Sequence, residues 1–123
     1  MFWKKEKEGN TTVIKWQILD SVEQLPDIIE ESSKNPVMIY KHSTRCGISG
    51  MALNRIERNW GSEFSDFKPY YLDLIAHREV SNAIASRFGV YHESPQVIII
   101  KNGKSVYDAS HMQIDTDRLI SYK

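Results

Sequence analysis

The stretch Val37-Met38-Ile39-Tyr40-Lys41-His42-Ser43-Thr44-Arg45-Cys46-Gly47-Ile48-Ser49 joins an apolar run to a short polar loop holding the chain's only cysteine. Val37 to Tyr40 reads as a strand, while Ile48, Met51, Ala52, Ile56 and Trp60 fall on one face of a helix that Gly61 would stop. A thiol at that junction meets the unpaired N–H groups and the positive dipole end of a helix start. If Ser43 or Thr44 caps the helix, Cys46 lies in its first turn. Arg45 adds a permanent charge, and Lys41 and His42 are available to add more. In such settings a free-cysteine pKa of about 8.5 falls to roughly 3.5–7.5. The competing reading is a buried, inert thiol, since free cysteine is among the most buried residue types. The polar neighbours Ser43, Thr44, Arg45 and Gly47 favour the reactive one.

Outward from this stretch the hydrophobic period alternates between that of a strand and that of a helix. Val13 to Leu19 reads as a first strand, and a helix starts near Leu25 with Pro26 in its opening turn. Asn35-Pro36 ends that helix and launches the second strand. Phe67 to Leu74 forms a third strand, irregular or edge-like at Pro69. Val80, Ala83, Ile84 and Phe88 mark a helix closed by Gly89. Gln96 to Ile100, the Asn102-Gly103 turn and Lys104 to Tyr107 give a β-hairpin signal, and a short helix spans about Asp115 to Tyr122 with Asp115 or Thr116 as cap. The order is β-α-β-α-β-α-β-β-α, which implies an α/β fold with a central mixed sheet and helices on both faces. Residues 1–12 are expected to be a flexible charged tail and residues 13–123 one domain.

Composition narrows the function. A balance of 16 basic and 16 acidic side chains argues against a general nucleic-acid binder. One cysteine cannot form an internal disulfide, so no stapled secreted domain is indicated and the cytoplasm is the expected compartment. No segment approaches the roughly 20 apolar residues of a membrane helix, so no stable membrane insertion is expected. Four scattered histidines with one cysteine make no zinc pattern, and no metal is expected.

The element order, a cysteine opening the helix after the second strand, and Ser94-Pro95-Gln96 at the late hairpin resemble the thioredoxin fold. Within it, Lys41 to Ser49 most resembles the YtxJ group of monothiol bacilliredoxins, with Gly47 where the group's pattern has proline. The architectural likeness covers about residues 13 to 122. It implies a cis Pro95 beside the cysteine, leaving the Ser94 backbone free to pair with an extended substrate. It also implies a thiol-disulfide oxidoreductase acting through Cys46, with no bound cofactor and with bacillithiol as co-substrate. Bacillithiolated client proteins and a low-molecular-weight thiol are then the partners, and a monomer is expected.

Dithiol members carry a second cysteine three positions on, where this chain has Ser49, and a hydroxyl cannot resolve a mixed disulfide. Ser49 is therefore expected to donate a hydrogen bond to the thiolate, or simply to cap the helix or face solvent. Tyr40 stands where dithiol thioredoxins carry a buried carboxylate. Thr44, Arg45, Gly47, Ser49, Ser94, Pro95 and His42 are the expected substrate-binding or thiolate-stabilising residues around Cys46. The carboxylates of bacillithiol would suit Arg45, Lys41 or His42. Two other classes stay open. Cys46-Gly47-Ile48-Ser49 differs at one position from the Cys-Gly-Phe-Ser run of monothiol glutaredoxins, which carry a bridging [2Fe-2S] cluster. A non-catalytic thioredoxin-fold interaction module is the other.

Overall fold

The computed structural model describes residues 13–123. The expectation of a charged tail over residues 1–12 lies outside the described residues. Five strands, β1 (Gln17–Ile18), β2 (Val37–His42), β3 (Lys68–Asp73), β4 (Gln96–Lys101) and β5 (Lys104–Ser110), form one sheet in the order β1-β3-β2-β4-β5. β1, β3 and β2 run parallel, while β4 is antiparallel to both β2 and β5. The helices are α1 (Leu25–Glu31), α2 (Gly47–Arg58), α3 (Arg78–Phe88) and α4 (Thr116–Ile120). None is long and apolar enough to cross a membrane among the described residues.

Strand alternation divides the core into two layers. Every residue of β2 is buried, and successive side chains leave the sheet on opposite faces. Met38 and Tyr40 join Val97, Ile99, Ala52, Ile56 and Leu119 in one cluster, under α2 and α4. Val37 and Ile39 join Ile98, Ile100, Leu25, Ile28, Val80 and Ile84 in the other, under α1 and α3. The same alternation places His42 on the α2 face and Lys41 on the α3 face.

Local chemistry sets most boundaries. Pro26 sits in the first turn of α1, where its missing N–H costs nothing. Asn102 and Gly103 take φ of 52° and 76°, the left-handed pair of a tight hairpin turn. Gly89 closes α3 at φ 66°. Asp115 accepts the Asp117 N–H at 2.9 Å and caps α4.

Several boundaries differ from expectation: β2 runs past Tyr40 to His42, and α4 ends at Ile120 rather than Tyr122. The first strand, expected over Val13 to Leu19, pairs only at Gln17 and Ile18, with Leu19 N–H reaching Tyr71 O at 2.8 Å. Pro69, the β3 residue that faces this edge one step earlier, has no N–H with which to extend the ladder. The cysteine-bearing helix ends at Arg58, not Trp60, because Asn59 stops it by turning its side-chain amide onto Arg55 O at 2.8 Å. Gly61 is extended and opens a separate 3₁₀ turn. β5 continues three residues past Tyr107, to Ser110, still paired to β4.

Candidate functional site

The register carries the site. Antiparallel pairing of β2 with β4 ends at Lys41 and Gln96, so the chain leaving β2 for the Ser43–Cys46 turn and the Ser94-Pro95 pair that enters β4 lie at the same end of these two strands. The Ser94-Pro95 bond is cis, as the resemblance implied. Pro95 is buried, and Ser94 Oγ is shielded from solvent without a hydrogen-bond partner among the described residues.

Cys46 stands one place earlier on its helix than expected. Neither Ser43 nor Thr44 caps α2, because the turn closed by Cys46 N–H onto Ser43 O (3.1 Å) makes Cys46 itself the N-cap. Its backbone is extended (φ −115°, ψ 121°), its carbonyl accepts the Gly50 N–H at 3.2 Å, and its side chain makes no capping bond. The sulfur belongs to a half-buried residue flanked by exposed Thr44, Arg45, Gly47 and Ile48. Such a thiol is reachable and is held by backbone, with its own bonding capacity unspent.

Ser49 does none of the three things expected of it. It is fully buried, and its hydroxyl accepts the Ser43 N–H at 3.0 Å while lying 2.7 Å from His42 Nδ1. Burial lowers the pKa of His42 and favours the neutral ring, whose tautomer sets which of Nδ1 and the Ser49 hydroxyl donates in this bond. Tyr40, fully buried, donates its hydroxyl to Ser49 O at 2.7 Å, and its pKa is pushed up to about 12 mainly by burial. The ring of His42 lies 6.0 Å from that of Tyr40 and 5.6 Å from that of Tyr71. Ser49 is thus a tie between α2 and the turn before Cys46, and it has no hydrogen bond with the sulfur. Ser49→Ala leaves the Ser43 N–H and the His42 ring without their buried partner. We expect a loss of about 2–4 kcal/mol in unfolding free energy by urea titration; a loss below about 0.5 kcal/mol would show that the tie is dispensable.

Lys41 and His42 were expected to add positive charge beside the sulfur, and neither does. Lys41 is fully buried on the opposite face of the sheet, where Nζ lies 2.8 Å from His92 Nδ1 and 3.0 Å from Gln96 Oε1. His42 is buried and favours its neutral form. Arg45, exposed in the turn, is the one residue of the three left open to an anionic ligand. The His92 Nδ1 bonds Lys41 and lies 3.2 Å from the buried Ser81 Oγ. His77 and His111 lie at the surface, 3.9 Å from Glu79 and Glu93. The Lys41–His92–Gln96 cluster escaped the sequence reading, although a signal existed: Lys41 continues the series Val37, Ile39, Lys41 into the interior.

Comparison with known proteins adds the family. Residues 17–119 match the family model described as monothiol bacilliredoxin BrxC. A solved structure described as a candidate oxidoreductase with a thioredoxin fold is 30% identical, with a TM-score of 0.72 over 94% of this chain and 95% of that one. Thioredoxin from Fasciola hepatica is 19% identical (TM-score 0.65, 86% and 94% covered), and thioredoxin from Trypanosoma brucei brucei 20% (TM-score 0.64, 88% of each). At that identity the two thioredoxins speak to the fold alone, and the fold is the thioredoxin fold with its mixed sheet covered on both sides.

Proposed function

Because the chain belongs to the monothiol bacilliredoxin family, we propose that it reduces protein mixed disulfides formed with a low-molecular-weight thiol, bacillithiol, through Cys46 alone. Family and fold together support a thiol oxidoreductase. The observation that carries the finer reading is the pairing of one accessible, unbonded cysteine at a helix start with a cis proline across the sheet, and with a buried serine three residues on.

In the first step the deprotonated Cys46 sulfur attacks the bacillithiol sulfur of the mixed disulfide. A Cys46–bacillithiol disulfide forms, the client–bacillithiol bond breaks, and the client sulfur leaves with the electron pair and takes a proton. A second thiol must then attack the adduct, releasing bacillithiol as a disulfide with that thiol and restoring Cys46. Over the two steps the client sulfur is reduced and the attacking thiol is oxidised, so the disulfide bond passes from the client to that external thiol. The backbone of Ser94, beside cis-Pro95, would pair with an extended client segment and hold its disulfide against the sulfur. Arg45 supplies a guanidinium for a carboxylate of the small thiol, with Thr44 and Gly47 offering polar and backbone groups beside it. No bound cofactor enters this cycle.

Mixing the protein with a client that carries one bacillithiol adduct tests the proposal. One client thiol should appear per adduct transferred, and intact mass spectrometry should find bacillithiol on Cys46. Client thiol without transfer to Cys46, or no release at all, would sink it.

A further inference from the structure

Lys41 stands out among the buried groups that the exchange chemistry does not use. Its ammonium is fully buried, yet no carboxylate of the described residues forms an ion pair with it. Its acceptors are neutral: His92 Nδ1 at 2.8 Å and Gln96 Oε1 at 3.0 Å. An ammonium can only donate, so Nδ1 accepts and the ring proton sits on Nε2. The neighbouring charges are Arg78, on the first turn of α3, and Glu93, in the loop, which act in opposite senses. A buried cation with neutral partners lowers stability relative to an apolar side chain of similar size. Folding therefore gives no reason for a lysine here.

What the amine touches gives one. Gln96 turns its side chain back along the chain: Nε2 donates to Tyr91 O at 3.0 Å, and Oε1 lies 3.4 Å from the Glu93 N–H. The same His92 Nδ1 lies 3.2 Å from the buried Ser81 Oγ of α3, which shares it with Lys41 at a longer distance. Between α3 and β4 the chain runs through Tyr91, His92 and Glu93 with its side chains exposed, and these contacts gather the segment onto one nitrogen of β2. Its far end is Ser94-Pro95.

We propose that Lys41 is a positioning residue for the client: through His92 and Gln96 it fixes the Tyr91–Pro95 segment, whose Ser94 backbone pairs with the disulfide-bearing strand. This rests on the reading of Cys46 and Pro95 as one exchange site. Lys41 touches neither sulfur nor client and acts on how well the pairing edge is ordered before binding. Its charge-assisted bonds are the stronger ones, so loss of the proton loosens the segment.

The test compares two disulfides, a bacillithiolated client protein and bis(2-hydroxyethyl) disulfide, which has no backbone to pair. For Lys41→Met we expect KM for the protein to rise about fivefold or more, kcat to stay within about twofold, and the rate with the small disulfide to be unchanged. His92→Phe should act alike, and the double variant should be no worse than the more affected single one, since both break the same chain. In the wild type the client KM should climb as pH passes about 8, where Lys41 titrates, and that climb should be missing from Lys41→Met. An unchanged client KM in Lys41→Met, or equal losses on both disulfides, would overturn the proposal. A wild-type protein that leaves both disulfides intact would remove the exchange reading itself, and this proposal with it.

Discussion

Cys46→Ser will abolish release of thiol-blocked clients, lowering the rate by at least about a thousandfold, and will leave the protein folded. The first half follows from the chemistry: a serine hydroxyl stays protonated at neutral pH and forms no disulfide, and the chain has no second cysteine to take over. The second half follows from the position. Cys46 is the N-cap of α2 and makes no capping bond, whereas serine is among the preferred residues there and can accept an N–H of the first turn. We therefore expect the variant to match or exceed the wild type in unfolding free energy, by up to about 1 kcal/mol. Residual release above a hundredth of the wild-type rate would place the nucleophile elsewhere, and a clear fall in stability would mean that the sulfur does structural work. The thiol sits where a better cap would fit, a local conflict of the sort that collects at functional sites.

The second large effect is on stability against pH. Burial holds the Lys41 amine well below the ordinary lysine range, at about 8, with Arg78 acting in the same direction. Between pH of about 8 and about 10.4 the unfolded chain carries a proton on this residue that the folded chain lacks. Stability contributed by Lys41 therefore rises with pH through that window, and the full penalty stands below pH 8. A shift of this size corresponds to on the order of 3 kcal/mol. Lys41→Met removes the penalty, so at pH 7 it should be more stable than the wild type by about 1–3 kcal/mol, with the gap closing toward pH 10. Taking the difference between the two proteins cancels other groups that titrate alkaline, such as Tyr40. Denaturant unfolding at several pH values measures it; a variant less stable than the wild type at pH 7, or a gap indifferent to pH, would contradict the account.

The fold was legible because its signals are local. Val37 to Tyr40, the Asn102-Gly103 turn, Pro26 at a helix start and Gly89 at a helix end each carry their meaning in one or two residues. The first strand was overextended because its length is decided 50 residues away, by Pro69 on the strand it must pair with. The site divides likewise. Cys46 and cis-Pro95 came from pattern and resemblance, and the structure brings the segments that carry them to one end of the central strands β2 and β4. The role of Ser49 was hidden, since spacing from Cys46 says nothing of the Ser43 amide and His42 ring that surround its hydroxyl. Lys41 was expected to lend its charge to the sulfur because it stands close to Cys46 along the chain. Strand parity, which sends it inward two residues after Ile39, was the better guide.

That parity reaches beyond a single side chain. Tyr40 and His42 leave β2 on the side of Ser49 and the Cys46 turn, while Lys41, between them, leaves on the side of His92 and Gln96. One extended segment of three residues thereby keeps the support of the nucleophile and the support of the docking edge on opposite sides of a wall of backbone. Substitutions on one side meet few neighbours from the other, so reactivity and choice of client can be altered separately. A laboratory lineage selected for a new client should therefore accumulate its changes around Lys41, His92 and Gln96 and leave Tyr40, His42 and Ser49 as they stand.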